Sequence, residues 1–217
     1  MSIVLLEAPT LGAGWLCAAR AILERGALAR YDDQPTRELA LLTVVVERPS
    51  SEDRVIARLG DADWLAWMHD NFFVQKQVPE LGDAQSYAVR LFNYAGAGHD
   101  QVAWVVERLR ADPASRSAAI TTFQPLTDTS YIPCVSLLDF WLPAGELELV
   151  AYAHSLDFGK KAYGNLVELA RLQEHVAAEL GVGAGRLIVH AKSAHIYEPE
   201  WELMAHLAEQ GDASPTG

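Results

Sequence analysis

The chain has 217 residues, half of them apolar, and its 29 acidic and 17 basic side chains give a formal net charge of −12. A chain of this length can bury a sizeable core in one domain, and no apolar run reaches the roughly 20 residues that a membrane helix needs. Non-specific nucleic-acid binding needs a positive surface, which the acidic balance argues against. We therefore expect a single domain over residues 1–217 that binds a small molecule.

The number of cysteines indicates the cellular compartment in which the protein is found. The chain has two cysteines, Cys17 and Cys134, which are too few for a disulfide framework. Its first residues carry no basic segment of the kind that opens a secretory signal. Together these features predict a cytoplasmic protein. The seven histidines show no metal-ligand spacing, so we expect no metal.

In chain order, the sequence predicts helices and strands that do not alternate strictly. Trp15 to Arg30 has apolar residues at helical spacing, and Leu39 to Val46 is rich in β-branched residues, as buried strands are. The other predicted elements are a helix that starts near Ser50 and Ser51, helices over 61–71, 101–110 and 163–180, an irregular stretch over 72–98, strands over 118–123 and 186–190, and a hairpin of 135–142 with 146–153. This order predicts an α+β fold. Residues from about 205 to 217 are predicted to form a disordered tail.

The two cysteines lie in different settings. Cys17 falls within a predicted apolar helix, where a free thiol is usually core filler. Cys134 follows Pro133 at the start of a predicted strand. From its position alone, Cys134 is either a buried inert thiol or a nucleophile activated by a nearby cation.

Three polar residues in the second half of the chain are candidates for ligand binding. His195 and Tyr197 are two residues apart on one face of an extended segment, where they either bind a hydroxyl or meet solvent. Asn165 lies near the start of a long predicted helix. Its amide either caps that helix or, if buried, offers a donor and an acceptor to a pyrimidine edge.

Taken in order, these residues resemble a known family. The segments IPCVSLLDFWLPAGELELVAYAHSLDFGKKAYGNLVELA and GRLIVHAKSAHIYEPEW resemble thymidylate synthases and their nucleotide hydroxymethylase relatives. The similarity runs from Pro133 to Tyr197, and HDQVAWVVERLRADPASRS resembles the family's upstream helix and turn. This resemblance implies a mixed β-sheet with flanking helices that packs sheet to sheet in a homodimer with shared active sites. It also implies 5,10-methylenetetrahydrofolate as the cofactor.

The resemblance implies a role for each matching residue. Cys134 falls on the catalytic cysteine, and Asn165 falls on the asparagine that binds the pyrimidine amide. Arg116 falls on an arginine that reaches the phosphate of the neighbouring subunit. The other implied site residues are an active-site tyrosine at Tyr87, a catalytic acid at Asp53 or Glu52, the sugar-binding pair His195 and Tyr197, and the substrate-binding positions Ser155, Asp157, His154 and Asp139.

Several positions depart from the family's pattern. His154 and Ser117 stand where the family has arginines, and Asp139 stands where it has glutamine. Each lost arginine removes a charge-assisted hydrogen bond worth about 1.5–3 kcal/mol. A substrate without a 5′-phosphate is therefore as consistent with the sequence as a nucleotide.

Three functional hypotheses remain at this point. The first is one-carbon transfer to C5 of a pyrimidine through a cysteine adduct, with hydroxymethylation favoured over methylation. That preference follows because the family's folate-covering tail and active-site tryptophan are not recognisable, so that water can reach the site. The second is a different reaction on the same scaffold without folate. The third is a non-catalytic, dimeric nucleotide-binding paralogue, which the retained Cys134 disfavours.

Overall fold

The computed structural model of the protein describes residues 3–129 and 131–212. Over these residues the strands are Val4–Ala8 (β1), Ala27–Tyr31 (β2), Gln34–Val46 (β3), Gln77–Val78 (β4), Ala84–Gln85 (β5), Ala119–Thr121 (β6), Val135–Trp141 (β7), Glu146–Ala153 (β8), Leu156–Asp157 (β9) and Gly183–Tyr197 (β10). The helices are Leu11–Arg25 (α1), Arg54–Leu59 (α2), Ala62–Phe73 (α3), Tyr87–Phe92 (α4), Gln101–Ala111 (α5), Ala162–Leu180 (α6) and Trp201–Asp212 (α7).

Most strands form one mixed sheet. Six of them are paired in the order β1-β3-β10-β8-β7-β6, while β2 extends along β3 and β9 along β10. Strand β10 is antiparallel to β3 and parallel to β8 and β9. The predicted α+β class with a mixed sheet and flanking helices is thereby confirmed.

The two faces of the sheet differ. In β3, Leu42, Val44 and Val46 are buried while the alternate residues are partly exposed, as expected for strands covered on one side. Helices α1 and α6 pack on the buried face. The opposite face carries large apolar side chains that remain exposed, namely Leu5, Leu137, Trp141 and Val150. No helix of residues 3–129 and 131–212 covers those four side chains.

Several predicted boundaries are corrected by the structure. The helix predicted over 15–30 ends at Arg25, because Gly26 turns the chain into β2. The helix predicted to start near Ser50 begins after Asp53, and the stretch over 72–98 contains α4. The strand predicted over 186–190 extends through Gly183–Tyr197, since it pairs with three neighbours.

The predicted tail is also corrected. Residues 205–212 belong to α7, and its buried Met204 and Ala208 pack against α1. Arg20 of α1 donates a hydrogen bond to the carbonyl of Ala208. These side chains recur at helical spacing, so burial of that stripe holds the segment in place. Residues 213–217 lie outside the described part of the chain. None of the described helices is long and apolar enough to cross a membrane.

Candidate active site

The predicted site residues converge where β7 begins, where β9 leads to α6, and near the end of β10. His195 of β10 is directly opposite Asp157 of β9 in the parallel pairing. The backbone N–H of His154 donates to the carbonyl of Cys134 at 3.1 Å, which joins the end of β8 to the start of β7. Ser155 follows His154 in the short link between β8 and β9. The fold therefore gathers residues that are widely separated in sequence.

Cys134 is a half-buried thiol among ionisable groups. Burial raises its pKa above the ordinary value, and the negative charge of Asp157 adds to that increase. The positive charge of Lys161 and a hydrogen bond with Tyr131 lower the same pKa. The free thiol is thus protonated at neutral pH, and groups around it are placed to favour the thiolate.

Tyr87 lies behind Cys134. Its ring is buried and stacks on Phe72 with a centroid distance of 4.4 Å. Its hydroxyl accepts a hydrogen bond from the N–H of Val135 at 3.0 Å. Burial holds the pKa of Tyr87 well above its usual value, so it stays a phenol that can still donate its own proton.

Asp157 and His195 lie opposite each other in the sheet and interact electrostatically. Oδ1 of Asp157 accepts hydrogen bonds from the backbone N–H groups of Gly159, at 3.0 Å, and Lys160, at 3.3 Å. Burial raises the pKa of Asp157 and lowers that of His195, while the attraction between the two charges opposes both shifts. The His195 ring meets Tyr197 edge-on at 5.2 Å between centroids. The pair therefore presents polar atoms in a partly desolvated setting.

Asn165 is not a helix cap. Helix α6 has Lys161 at its N-cap position, and Asn165 is a buried residue of the first turn. Its Nδ2 donates to the carbonyl of Lys161 at 3.1 Å. This bond uses one amide hydrogen, which leaves the other hydrogen and Oδ1 available to a ligand.

The remaining substrate-binding candidates lie at the margin of this cluster. Nδ1 of His154 is 3.2 Å from Oγ of Ser136, and burial together with the charge of Lys192 lowers the pKa of His154. Asp139 lies on the helix-free face of β7, where burial raises its pKa. Arg116 is exposed between α5 and β6 and makes no hydrogen bond or ion pair within the described residues. Its predicted role concerns a neighbouring subunit.

Asp53 and Glu52 occupy a different place. Oδ1 of Asp53 accepts hydrogen bonds from the N–H groups of Val55 and Ile56, both at 2.9 Å, and Oδ2 accepts one from Gly12 at 3.0 Å. Asp53 is therefore the cap of α2. Glu52 is exposed, and both line an open hollow of about 490 Å³ that holds neither Cys134 nor His195. Their catalytic role stays a prediction that no contact of the described residues supports.

The expectation that Cys17 fills the core is wrong. Trp15, Ala18, Ala19 and Ile22 form the buried stripe of α1, whereas Cys17 is exposed. Successive residues of a helix are about 100° apart around its axis. This spacing places Cys17 outside the buried stripe, so its thiol faces solvent.

Three side chains near the cluster were missed by the sequence analysis. Tyr131 is partly buried. Burial and the charge of Cys134 raise its pKa, and its position three residues before the cysteine was the available signal. Glu200 packs across Gly159, where an added Cβ would lie 3.0 Å from the Glu200 Cβ, and its Oε2 is buried without a hydrogen-bond partner among the described residues. The third side chain that the sequence analysis missed is Trp64.

Trp64 gives this region a flat aromatic surface. Its ring stacks on Trp67 at 4.6 Å between centroids, and a Cβ added to Gly164 would lie 3.1 Å from its Nε1. Nε1 is buried and has no hydrogen-bond partner within residues 3–129 and 131–212. An unpaired donor on an indole next to Asn165 fits a flat heterocycle such as a pteridine. Within those residues, no group of three His, Cys, Asp or Glu side chains is arranged to hold a metal ion.

Comparison with known proteins agrees with this arrangement. The sequence model of the family described as Thymidylate synthase matches residues 48–216. The chain belongs to the thymidylate synthase family. A relative from Methanothermobacter marburgensis is 36% identical over 211 residues, which cover 91% of this chain and 95% of that protein. A relative from Methanosarcina barkeri is 29% identical over 213 residues, 94% of each chain. Both carry the name "Putative thymidylate synthase".

Membership of the thymidylate synthase family gives the site a chemical context. The family acts on small pyrimidine substrates, is typically dimeric and generally uses methylenetetrahydrofolate. Membership of this family supports the assignment of the protein as a transferase that adds a one-carbon unit at C5 of a pyrimidine. The resemblance stated from the sequence is thereby confirmed.

Proposed function

We propose that this protein transfers a one-carbon unit to C5 of a pyrimidine through a covalent adduct with Cys134, and that the product is a hydroxymethyl group. The observation that carries the proposal is the convergence of Cys134 with Tyr87, Asp157 and Asn165 at the start of β7 and α6. A thiol in such a cluster of hydrogen-bonding groups fits covalent chemistry better than core packing.

The chain's own residues would divide the work as follows. The Cys134 thiolate adds to C6 of the ring, which pushes electron density onto O4 and makes C5 nucleophilic. Asn165 and Asp157 hold the polar edge of the ring, because both place hydrogen-bonding atoms at the start of α6. After C5 has taken the one-carbon unit, a base would remove the C5 proton as the carrier leaves that carbon, and the oxygen of a water molecule would take the carrier's place. The bond from Sγ to C6 then breaks to release thiolate.

Bound 5,10-methylenetetrahydrofolate would supply the one-carbon unit. Trp64 and Trp67 would hold its ring system, since the buried Trp64 Nε1 lacks a partner in the described residues and the stacked indoles present a flat surface. Water access favours hydroxymethyl as the product. Lys160 and Lys161 are exposed, and Cys134, Ser155 and Tyr197 are each partly open. Methylation is the second candidate, because the relatives carry the name "Putative thymidylate synthase".

The proposed active form is a homodimer that packs sheet against sheet. The helix-free face exposes Leu5, Leu137, Trp141 and Val150, and apolar side chains grouped on one face are typical of a buried interface. A two-fold arrangement would bring the same face of both subunits together. The exposed Arg116 is free to serve the partner's site in that arrangement.

The decisive experiment combines binding with release of the C5 hydrogen. The protein is titrated with dUMP, dCMP, UMP and CMP, each labelled with tritium at C5, with and without methylenetetrahydrofolate. We expect tritium release that depends on Cys134 and is lost in Cys134→Ser. The exposed Cys17 supplies the control, because Cys17→Ser should release tritium at the parent rate. Tight binding without release would indicate a non-catalytic paralogue, and no binding of any nucleotide would indicate a different reaction.

A further inference from the structure

His195 belongs to a row of four residues that crosses the sheet. Ala27 of β2 is opposite Glu38 of β3, and Glu38 is opposite His195 of β10. On its other side, His195 is opposite Asp157 of β9. Side chains of residues paired in this way lie on the same face of the sheet, and neighbouring strands are about 4.8 Å apart. The imidazole of His195 is therefore flanked by a carboxylate on each side.

The carboxylate of Glu38 is left without a partner by the described residues. The side chain is half-buried, and within residues 3–129 and 131–212 it makes no hydrogen bond or ion pair. The adjacent Arg37 lies on the opposite face of β3, where its guanidinium is 5.5 Å from the centre of the Trp201 ring. On β2, the methyl group of Ala27 offers no hydrogen bond. A carboxylate withdrawn from water in this way is stabilised by a donor that a ligand brings.

The groups next to Glu38 are suited to hydroxyls. The rings of His195 and Tyr197 meet edge-on at 5.2 Å between centroids, and alternate residues of β10 share the face on which Glu38 lies. The tyrosine hydroxyl and a neutral imidazole can each donate and accept a hydrogen bond, whereas an ionised carboxylate only accepts. A ligand that engages all three groups must present one hydroxyl to the aromatic pair and a second proton donor, beside the first, to Glu38.

Two adjacent hydroxyls on one face of a sugar ring meet this requirement. Carboxylates bind the ribose 2′-hydroxyl in dinucleotide-binding folds for the same reason. Asp157 is less available for this task than Glu38, because its Oδ1 already accepts hydrogen bonds from the N–H groups of Gly159 and Lys160, at 3.0 and 3.3 Å. The row across the sheet therefore favours a cis-diol with Glu38 as the second acceptor.

We propose that Glu38 binds the second hydroxyl of a ribose whose first hydroxyl is held by His195 and Tyr197, so that the substrate is a ribonucleoside or ribonucleotide and not its 2′-deoxy form. This inference deepens the proposed function, since it assumes that the pyrimidine at Cys134 carries a sugar. Burial lowers the pKa of His195, and the charges of Asp157 and Glu38 oppose that shift, which agrees with their places on either side of the ring.

The test compares ligands that differ by one hydroxyl and needs no turnover. Isothermal titration calorimetry without folate measures UMP against dUMP, CMP against dCMP, and the four corresponding nucleosides. We expect each ribose ligand to bind roughly tenfold to hundredfold more tightly than its deoxy form, as one hydrogen bond to a charged group implies. The arabinose analogue of UMP, whose 2′-hydroxyl lies on the opposite face of the sugar, should bind no better than dUMP. Equal affinities, or tighter binding of the deoxy forms, would overturn the inference.

Variants then assign the preference to Glu38. Glu38→Ala should weaken binding of the ribose ligands by the same factor and leave the deoxy ligands unchanged. Glu47→Ala is the matched control, because it removes an exposed carboxylate just beyond the end of β3 and should keep the preference. Circular dichroism establishes that each variant is folded, and the comparison of ligands on the parent protein stands whether or not Glu38→Ala folds. A ribose preference that survives in folded Glu38→Ala would overturn the role of Glu38.

The same ligands separate this inference from the proposed function. A ribose preference in a protein that releases no tritium would support the role of Glu38 and contradict the proposed function alone. Tritium release from dUMP in a protein without the preference would do the reverse. If none of the nucleotides or nucleosides binds, both are contradicted.

Discussion

The hydroxyl of Tyr87 and the backbone N–H of Val135, the residue after Cys134, are joined by a hydrogen bond of 3.0 Å. Helix α4 thereby fixes the backbone at the nucleophile. Both residues are buried, so water cannot replace this bond if it is lost. The tyrosine that the resemblance placed in the active site has a positioning role that the sequence did not indicate.

Replacing Tyr87 with phenylalanine should therefore affect both stability and the site. The buried N–H of Val135 loses its acceptor, which should cost about 1–3 kcal/mol in the free energy of unfolding, measured in urea. Turnover should fall as well, because the backbone of Cys134 is less constrained. Tyr94→Phe is the control, since it removes the bond from Tyr94 Oη to the carbonyl of Phe123 and should leave Cys134 alkylation unchanged. A fully stable, fully active Tyr87→Phe would contradict this role.

Asp53 can be tested as a cap against its predicted catalytic role. Asp53→Ala should lower stability by about 1–3 kcal/mol, because α2 loses its cap and the Gly12 N–H loses its acceptor. Asp53→Asn should cost less, since asparagine caps a helix as well as aspartate does. Turnover should persist in Asp53→Asn, whereas loss of a group that transfers protons would reduce it by roughly 10²–10⁴-fold. Glu52→Gln, at the exposed neighbour, should change neither quantity. A large activity loss in a stable Asp53→Asn would restore the catalytic assignment.

These cases show which parts of the candidate site can be predicted from the sequence and which cannot. Cys134, Asn165 and His195 could be proposed from the sequence because each lies in a short motif whose order is visible along the chain. The contacts of Asp53 could not be predicted in this way, because the hydrogen bond that it accepts from Gly12 spans 41 positions and only the folded chain brings the two residues together.

Local pattern also fails where a side chain's environment comes from distant elements. Cys17 was misassigned because an apolar helix does not reveal which residue falls outside the buried stripe. Lys161 and Tyr131 lie on opposite sides of Cys134 in sequence, and their shared effect on its thiol depends on how α6 meets β7. No spacing rule connects them.

The proposed dimer can be broken on the helix-free face. Val150 is 39% exposed there, and Val150→Asp would place a charge in the proposed interface. Light scattering at micromolar concentration should show a dimer for the parent protein and a monomer for this variant, because burying an unpaired carboxylate is costly. Leu203→Asp provides a matched control, since Leu203 is 56% exposed on α7 and its replacement should leave the dimer intact. A parent protein that is monomeric under these conditions would refute the arrangement.

Glu200 should make stability depend on pH. Burial and the charge of Asp157 raise its pKa above the usual 4.5, so the folded state binds this proton more tightly than the unfolded state. Its contribution to stability is therefore complete below pH 4.5 and is lost as the pH rises through the folded-state pKa. Glu200→Gln should be more stable than the parent at pH 7, and the difference should shrink toward pH 4. Glu198→Gln, at an exposed neighbour, should show no such trend. A Glu200→Gln variant less stable than the parent at pH 7 would contradict this account.

The product of the reaction is the last expectation. A one-carbon unit on C5 becomes a hydroxymethyl group when water adds to it and a methyl group when it is reduced. The product therefore depends on whether the site excludes water. Cys134 is only partly buried, and Lys160 and Lys161, which come just before α6, are exposed. We expect hydroxymethylated pyrimidine and no dihydrofolate, measured by mass spectrometry of the product and by absorbance of the folate. Cys134→Ser is the control and should give neither product. Methylated pyrimidine formed together with an equal amount of dihydrofolate would show instead that the folded protein excludes water during the reaction.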